Sequence, residues 1–423
     1  MSTSAPVRPL SGVRVLDLSR LLPGPFCTMI LSDLGAQVDK VEDPHVGDYL
    51  RLFPPLVTVG SAQGSWDVSA RFASINRDKR SLSLDLKNPA ARDALLRLLP
   101  HYHVLVESFR PGVLDRLGLS VATLHQHNPA LVVCSITGYG QTGPYRDRAG
   151  HDLNYVALAG VLGLCGEREA DPPHVMPIQV ADLGAGALWP AVQILGALRV
   201  AEKTGQGSHL DVSMCEGALS FLIPELCNRA AGGPPPRRGG ELLTGGKACY
   251  RVYRAGDGRF LAVGALEPKF WLAFNAAIGR PGDPSELIGD DAQQDAVRAE
   301  IQAILLQKTR DQWIAHFAAL GSDVCVEPVL ELDELSQHPV HASREQFFSI
   351  AASSGTRSDG TPIPPLSQVR TPALPPHAVG QVCPPPQLGE HSFAILQEAG
   401  FSAEEIRRLQ QSGAARLATG SGA

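Results

Sequence analysis

The eight cysteines of this chain stand singly, at Cys27, Cys134, Cys165, Cys215, Cys227, Cys249, Cys325 and Cys383, and no C-x-x-C pair occurs. That spacing lacks the usual zinc and dithiol patterns, and reduced, mostly buried thiols are expected rather than a disulfide framework. An excess of positive charge is also missing. Acidic residues number 43 against 37 basic ones, for a formal net charge of −6, which argues against a broad nucleic-acid surface but leaves room for a local anion site. The stretch from Met1 to Pro9 has no apolar core, and no apolar run approaches the ~18 residues of a membrane span. A cytoplasmic protein with no membrane span and no nucleic-acid partner is expected. Internal repeats are absent as well. What remains is 423 residues, 44% hydrophobic and 19% charged, enough for two or three domains with a sizeable core.

The order of elements points to an α/β protein. Val13 to Leu18 reads as a strand, Phe26 to Leu34 as a helix ended by Gly35, and Gln37 to Val41 as a second strand. Residues 46–70, with Pro54-Pro55 and Gly60 to Gly64, read as a long loop of the binding-loop or lid kind. Strands over Ser81–Leu86, His103–Glu107 and Leu131–Thr137 then alternate with helices over Pro89–Leu99 and Val121–Asn128. Such alternation predicts a parallel, Rossmann-like sheet. Asp182 to Val200 reads as a long, mostly buried helix, His209 to Val212 as a strand, and Met214 to Cys227 as one further helix. A large α/β domain is expected over 1–229, followed by a Gly/Pro-rich linker at 230–247. Next come a small α+β domain over 248–350, an extended linker over 351–389 and a C-terminal segment over 390–423. That last segment carries an amphipathic helix from Ala403 to Gln411.

Two motifs fail on their context. Gly138-Tyr-Gly-Gln-Thr-Gly143 fits the dinucleotide spacing, but loop-like Pro144 to Gly150 follows where a helix N-terminus should hold the pyrophosphate. Gly245-Gly-Lys247 lacks the remainder of a phosphate loop. The pairs His101/His103 and His125/His127 have no acidic or cysteine partners at ligand spacing, so no metal site is expected.

Three titratable residues occupy positions that folding alone explains poorly. His151 lies in Gly150-His-Asp-Leu-Asn-Tyr155 at a loop–helix junction, Asp182 opens the long helix, and Glu267 sits where a strand meets a helix before Pro268. Plainer explanations stay open. Asp182 and Glu267 could be N-caps, and His151 a satisfied core histidine.

Taken together, the motifs resemble those of family III CoA-transferase-like proteins, and in particular the α-methylacyl-CoA racemase branch. The resemblance is carried by Pro9 to Leu18, Pro23-Gly-Pro25, Leu31 to Ala36, Asn76 to Lys87, Glu107 to Val113, Thr137 to Pro144, Gly150 to Tyr155 and Asp211 to Met214. It spans most of residues 9–350 in the family's order. It implies that Asp182 is the family's catalytic aspartate, that His151 faces it as the second base, and that Glu267 hydrogen-bonds the histidine. Inverting a carbon next to a thioester needs one base on each side, one protonated while the other is not. Backbone N–H groups at the start of the Asp182 helix would then steady the enolate oxygen.

The resemblance further implies a CoA site in the large domain from Lys40, Asp85, Leu86, Lys87, Phe109, Arg110, Arg116, Asp152 and Tyr155. The adenine and phosphates would lie on the basic members. Coenzyme A would enter as part of an acyl-CoA substrate rather than as a resident cofactor, with the 46–70 loop shaping the acyl pocket. The C-terminal segment would return to the large domain, and two chains would interlock as a homodimer. The implied activity is a racemase or epimerase acting on 2-methylacyl-CoA thioesters, with a place in lipid metabolism. Two other readings are a CoA-transferase using Asp182 as a nucleophile and a non-catalytic acyl-CoA-binding protein.

Overall fold

The computed structural model describes residues 7–61, 64–350 and 365–418. Six parallel strands carry the large unit: β1 (Arg14–Asp17), β2 (Gln37–Glu42), β3 (Lys79–Leu84), β4 (Val104–Glu107), β5 (Val132–Thr137) and β6 (Ser208–Ser213). Their spatial order is β3-β2-β1-β4-β5-β6, and Ala415–Arg416 adds a short antiparallel edge beside β3. Strands β1, β2, β4 and β5 are buried on both faces; β4 and β5 read accordingly as near-continuous apolar runs, whereas β2 buries the charged Asp39, Lys40 and Glu42. The strand order reverses between β1 and β4. In an open parallel sheet, ligands settle beyond the carboxyl ends of the strands flanking such a reversal.

Helix α1 (Pro23–Asp33) follows β1, with Pro23 in its first turn where a missing N–H costs nothing. Gly24 is required there, because a Cβ would stand 2.2 Å from the Cβ of Ser19. One core layer packs Leu95, Leu98 and Leu124 against the sheet together with Ile395, Leu396 and Ile406 of the C-terminal helices. The 46–70 segment is not an open loop. Leu56–Ser61 and Gly64–Ser69 pair as an antiparallel hairpin, and Val59 and Val68 bury against Phe72 and Met29. Its glycines and prolines punctuate a hairpin rather than a lid.

Two compact units divide the described chain at other boundaries than the sequence suggests. The first holds residues up to Ala159, then Ile178–Ser220, and the chain from Pro339 onward; the second holds Gly160–Pro177 and Phe221–His338. The stretch 230–247 is therefore part of the second unit and not a linker. Arg238 donates to the carbonyls of Gly163 and Asp171 and thereby ties in Gly160–Pro177. The second unit is built on a three-stranded antiparallel sheet of Tyr250–Arg254, Phe260–Gly264 and Val326–Pro328, backed by helices around Trp271, Phe274, Trp313 and Phe317. The expected 351–389 linker lies partly outside the described residues. Within its described part, Leu366–Val369 pairs with Phe347–Ile350.

The helix expected over Met214–Cys227 breaks into Met214–Ser220 and Ile223–Ala230, with Pro224 in the first turn of the second. The long helix expected from Asp182 begins as a π-helical stretch, Val180–Leu188, and continues as an α-helix to Thr204. By length and composition it could cross a membrane. Ala191, Ile194 and Leu198 are buried, whereas Leu188, Trp189, Val192 and Val200 are exposed, so the helix is not mostly buried as its sequence suggests.

Candidate active site

The carboxyl ends of β1, β4 and β5 open onto a cavity of about 860 Å³ within the large unit, a volume within the usual range for a ligand site. His151 and Asp182 both line it. They reach it from two different elements. His151 is the N-cap of α2 (Asp152–Leu158), its side chain exposed and its backbone N–H donating to the Asn154 side chain at 3.0 Å. Asp182 lies in the first turn of the π-helical stretch. Single π turns are uncommon and concentrate at functional sites, because the wider winding re-aims a side chain.

Asp152 joins the two elements. One of its carboxylate oxygens accepts from the backbone N–H of Ala181 at 2.7 Å and of Asp182 at 2.9 Å. This capping carboxylate occupies the amides expected to hold an enolate oxygen, while the Leu183 N–H donates to the Gln179 carbonyl. The helix start is therefore spoken for by Asp152, which is a structural cap here and not part of the cavity lining. The same arrangement acts on Asp182. Burial first, and the Asp152 charge second, push its carboxyl up to about 7.

Tyr155 lies behind the pair. Its hydroxyl donates to the Gly150 carbonyl at 2.5 Å, and its ring meets Tyr139 edge-on at 5.1 Å. Gly138 permits this, since a Cβ there would come within 2.4 Å of the Tyr155 ring. Burial, and then the nearby Asp182 charge, push the phenol up to about 12.

A second cavity of about 300 Å³ adjoins the ends of β2 and β3 and is lined by Asp85, Leu86, Lys87 and Phe109. Arg110 lines the larger cavity. Of the residues expected to hold CoA, these five and Tyr155 face one cavity or the other. Arg116 is exposed on the next turn and lines neither.

Lys40 requires a correction. It is fully buried, donating to the Ser19 carbonyl at 2.7 Å and pairing with Asp48 at 3.1 Å, so it has no free face for a phosphate. Together with Lys79 it also sustains the buried Asp17 carboxylate. Burial alone would raise the pKa of that group, but the two ammonium charges and the hydroxyls of Ser19 and Thr28 hold it at about 2. Glu267 belongs to the second unit, exposed at the N-cap of the helix Pro268–Ala277, with its side chain not bonded to the first turn. The lining around His151 and Asp182 comes wholly from the first unit.

Sequence reasoning missed Arg20, Tyr49, Arg146 and Arg148, all of which line the larger cavity. Among the described residues of 46–70, Tyr49 is the one that lines these cavities. Their shared signal is topological, since Arg20 follows β1 and the two other arginines lie in the loop after β5.

The family model for CoA-transferase family III matches residues 10–392. Alpha-methylacyl-CoA racemase of Homo sapiens is 36% identical over 404 residues, covering 95% of this chain and 96% of that protein. Acetyl-CoA:oxalate CoA-transferase of Acetobacter aceti is 33% identical over 408 residues, covering 95% and 98%. The crystal structure of a CAIB/BAIF family protein from Brucella suis superposes with a TM-score of 0.77 at 29% identity, over 93% of this chain and 100% of that one. A family model matching most of the chain, with relatives above 30% identity along nearly its whole length, shows that the chain belongs to CoA-transferase family III.

Proposed function

We propose that the protein is a racemase or epimerase that inverts the α-carbon of 2-methylacyl-CoA thioesters. The observation that carries this reading is that His151 and Asp182 line one cavity while the Asp182 carboxyl sits at about 7. A carboxyl poised near neutrality can both take and return a proton, which proton exchange at carbon requires and which a purely nucleophilic role does not. One residue removes the α-proton to give an enolate, and the other delivers a proton to the opposite face. Glu267 is assigned to orient the His151 ring through a carboxylate–imidazole hydrogen bond, in a homodimer of the chain.

A second reading is a CoA-transferase in which Asp182 attacks the thioester and then carries CoA as an aspartyl thioester. It is favoured by the similarity to the Acetobacter aceti transferase. Incubation with a 2-methylacyl-CoA in deuterated water, without an acceptor acid, separates the two. Deuterium is expected at the α-carbon, with a parallel loss of optical purity. CoA transfer to added carboxylates without exchange would assign the transferase instead, and neither activity would leave a binding protein. Hydroxylamine gives an independent check: an adduct trapped at Asp182 on the catalytic timescale would refute proton transfer as its role.

A further inference from the structure

Arg20 stands where the strand order reverses. It follows β1, its backbone N–H donates to the Ser108 hydroxyl beyond β4 at 3.1 Å, and its side chain lines both the His151/Asp182 cavity and the Asp85/Lys87 cavity. The guanidinium donates to the Tyr49 hydroxyl at 3.2 Å and lies 5.3 Å from the centre of the Tyr49 ring and 5.7 Å from that of Phe109. Among the described residues no carboxylate pairs with it.

Its backbone is held from both sides by the buried pair that removed Lys40 from the surface. Lys40 donates to the carbonyl of Ser19, the residue before Arg20, and the Asp48 carboxylate accepts from the N–H of Leu21, the residue after it, at 3.1 Å. Leu21 has φ +63°, a strained left-handed conformation for a branched side chain, which this clamp sustains. Tyr49 follows Asp48 directly, so the same buried pair also places the hydroxyl that aims the guanidinium.

A fixed guanidinium without a carboxylate, between a small cavity and a reactive one, suits a bidentate anion at the middle of an extended ligand. In an acyl-CoA the diphosphate occupies that middle position, between the nucleotide and the pantetheine arm. We propose that Arg20 grips the CoA diphosphate, with Lys40 and Asp48 as positioning residues for it. This rests on the acyl-CoA reading above.

The test compares acyl-CoA with the acyl-pantetheine thioester, which keeps the reacting end and lacks the diphosphate. In Arg20→Met, the KM for acyl-CoA is expected to rise about 10–100-fold, the loss of one charge-assisted contact, with kcat nearly unchanged. Exchange on acyl-pantetheine should stay at the wild-type rate. Dephospho-CoA thioesters, which keep the diphosphate, should show the same penalty as acyl-CoA. Tyr49→Phe keeps the guanidinium but frees it, and a few-fold rise for acyl-CoA alone is expected, so the idea remains testable should Arg20→Met fold poorly. Equal losses on acyl-CoA and acyl-pantetheine, or no loss on either, would overturn the assignment, and so would a penalty that vanishes with dephospho-CoA. Wild-type protein that exchanges neither thioester would remove the acyl-CoA reading itself, and this proposal with it.

Discussion

Asp182→Asn is expected to lower α-proton exchange by about 10²–10⁴-fold, the usual contribution of a positioned proton-transfer group. The same substitution should make the ligand-free protein more stable above neutral pH. The Asp182 carboxyl is raised from 3.8 to about 7 by burial and by Asp152. The folded state therefore binds its proton more tightly than the unfolded chain does. Stability falls as pH rises from about 4 and levels off above about 7, once the carboxylate is charged in both states. Asparagine carries no charge to bury, so the variant escapes this loss. The full displacement corresponds to at most about 4 kcal/mol, and the partial exposure of Asp182 reduces the expected gain to about 2 kcal/mol at pH 8. Thermal melts at pH 5 and pH 8 check it, because the advantage of the variant must widen towards pH 8. A variant that loses activity and is destabilised equally at both values would show that Asp182 is a structural cap rather than a strained functional carboxyl.

Lys40→Met is expected to destabilise the protein by about 3–5 kcal/mol, because it leaves the buried Asp48 carboxylate without its partner. At the size of the large unit this corresponds to a fall of roughly 6–20 °C in Tm. A lysine that merely reached out to a phosphate would behave otherwise, since surface substitutions seldom change stability by more than about 0.5 kcal/mol. Differential scanning calorimetry without ligand distinguishes the two, as the phosphate role predicts no shift until CoA is present. The companion variant Lys40→Arg should also lose stability. Its forked guanidinium is larger than the ammonium it replaces, in a site that is fully buried.

How far the sequence could be read divides along the range of the interactions involved. The β1-α1-β2 unit was legible because its signals are local: an apolar run, Pro23 in a first turn and Gly35 at φ +108° after the helix. The Ala403–Gln411 helix was legible for the same reason, with its Ser402 cap and Glu405 answering it. His151 and Asp182 stood out as motif positions, and they share a cavity. The hairpin at 56–69 was hidden because its glycines and prolines look like loop punctuation, while the pairing that makes it a sheet is between residues up to 13 apart. The place of Gly160–Pro177 in the second unit was hidden too, since it depends on Arg238, 75 residues after Gly163.

By itself, then, the sequence determined the fold class and the family and singled out His151 and Asp182, which line one cavity, because apolar periodicity, caps and motif residues are written within a few positions of one another. Only the tertiary structure decided which charges face a ligand and which are buried. Lys40 lies within β2 and Arg20 just beyond the end of β1. The Ser19 carbonyl and Asp48 enclose one, while Tyr49 and Phe109 leave the other facing both cavities. The difference arises from desolvation and pairing, and these exist only once distant segments have packed together.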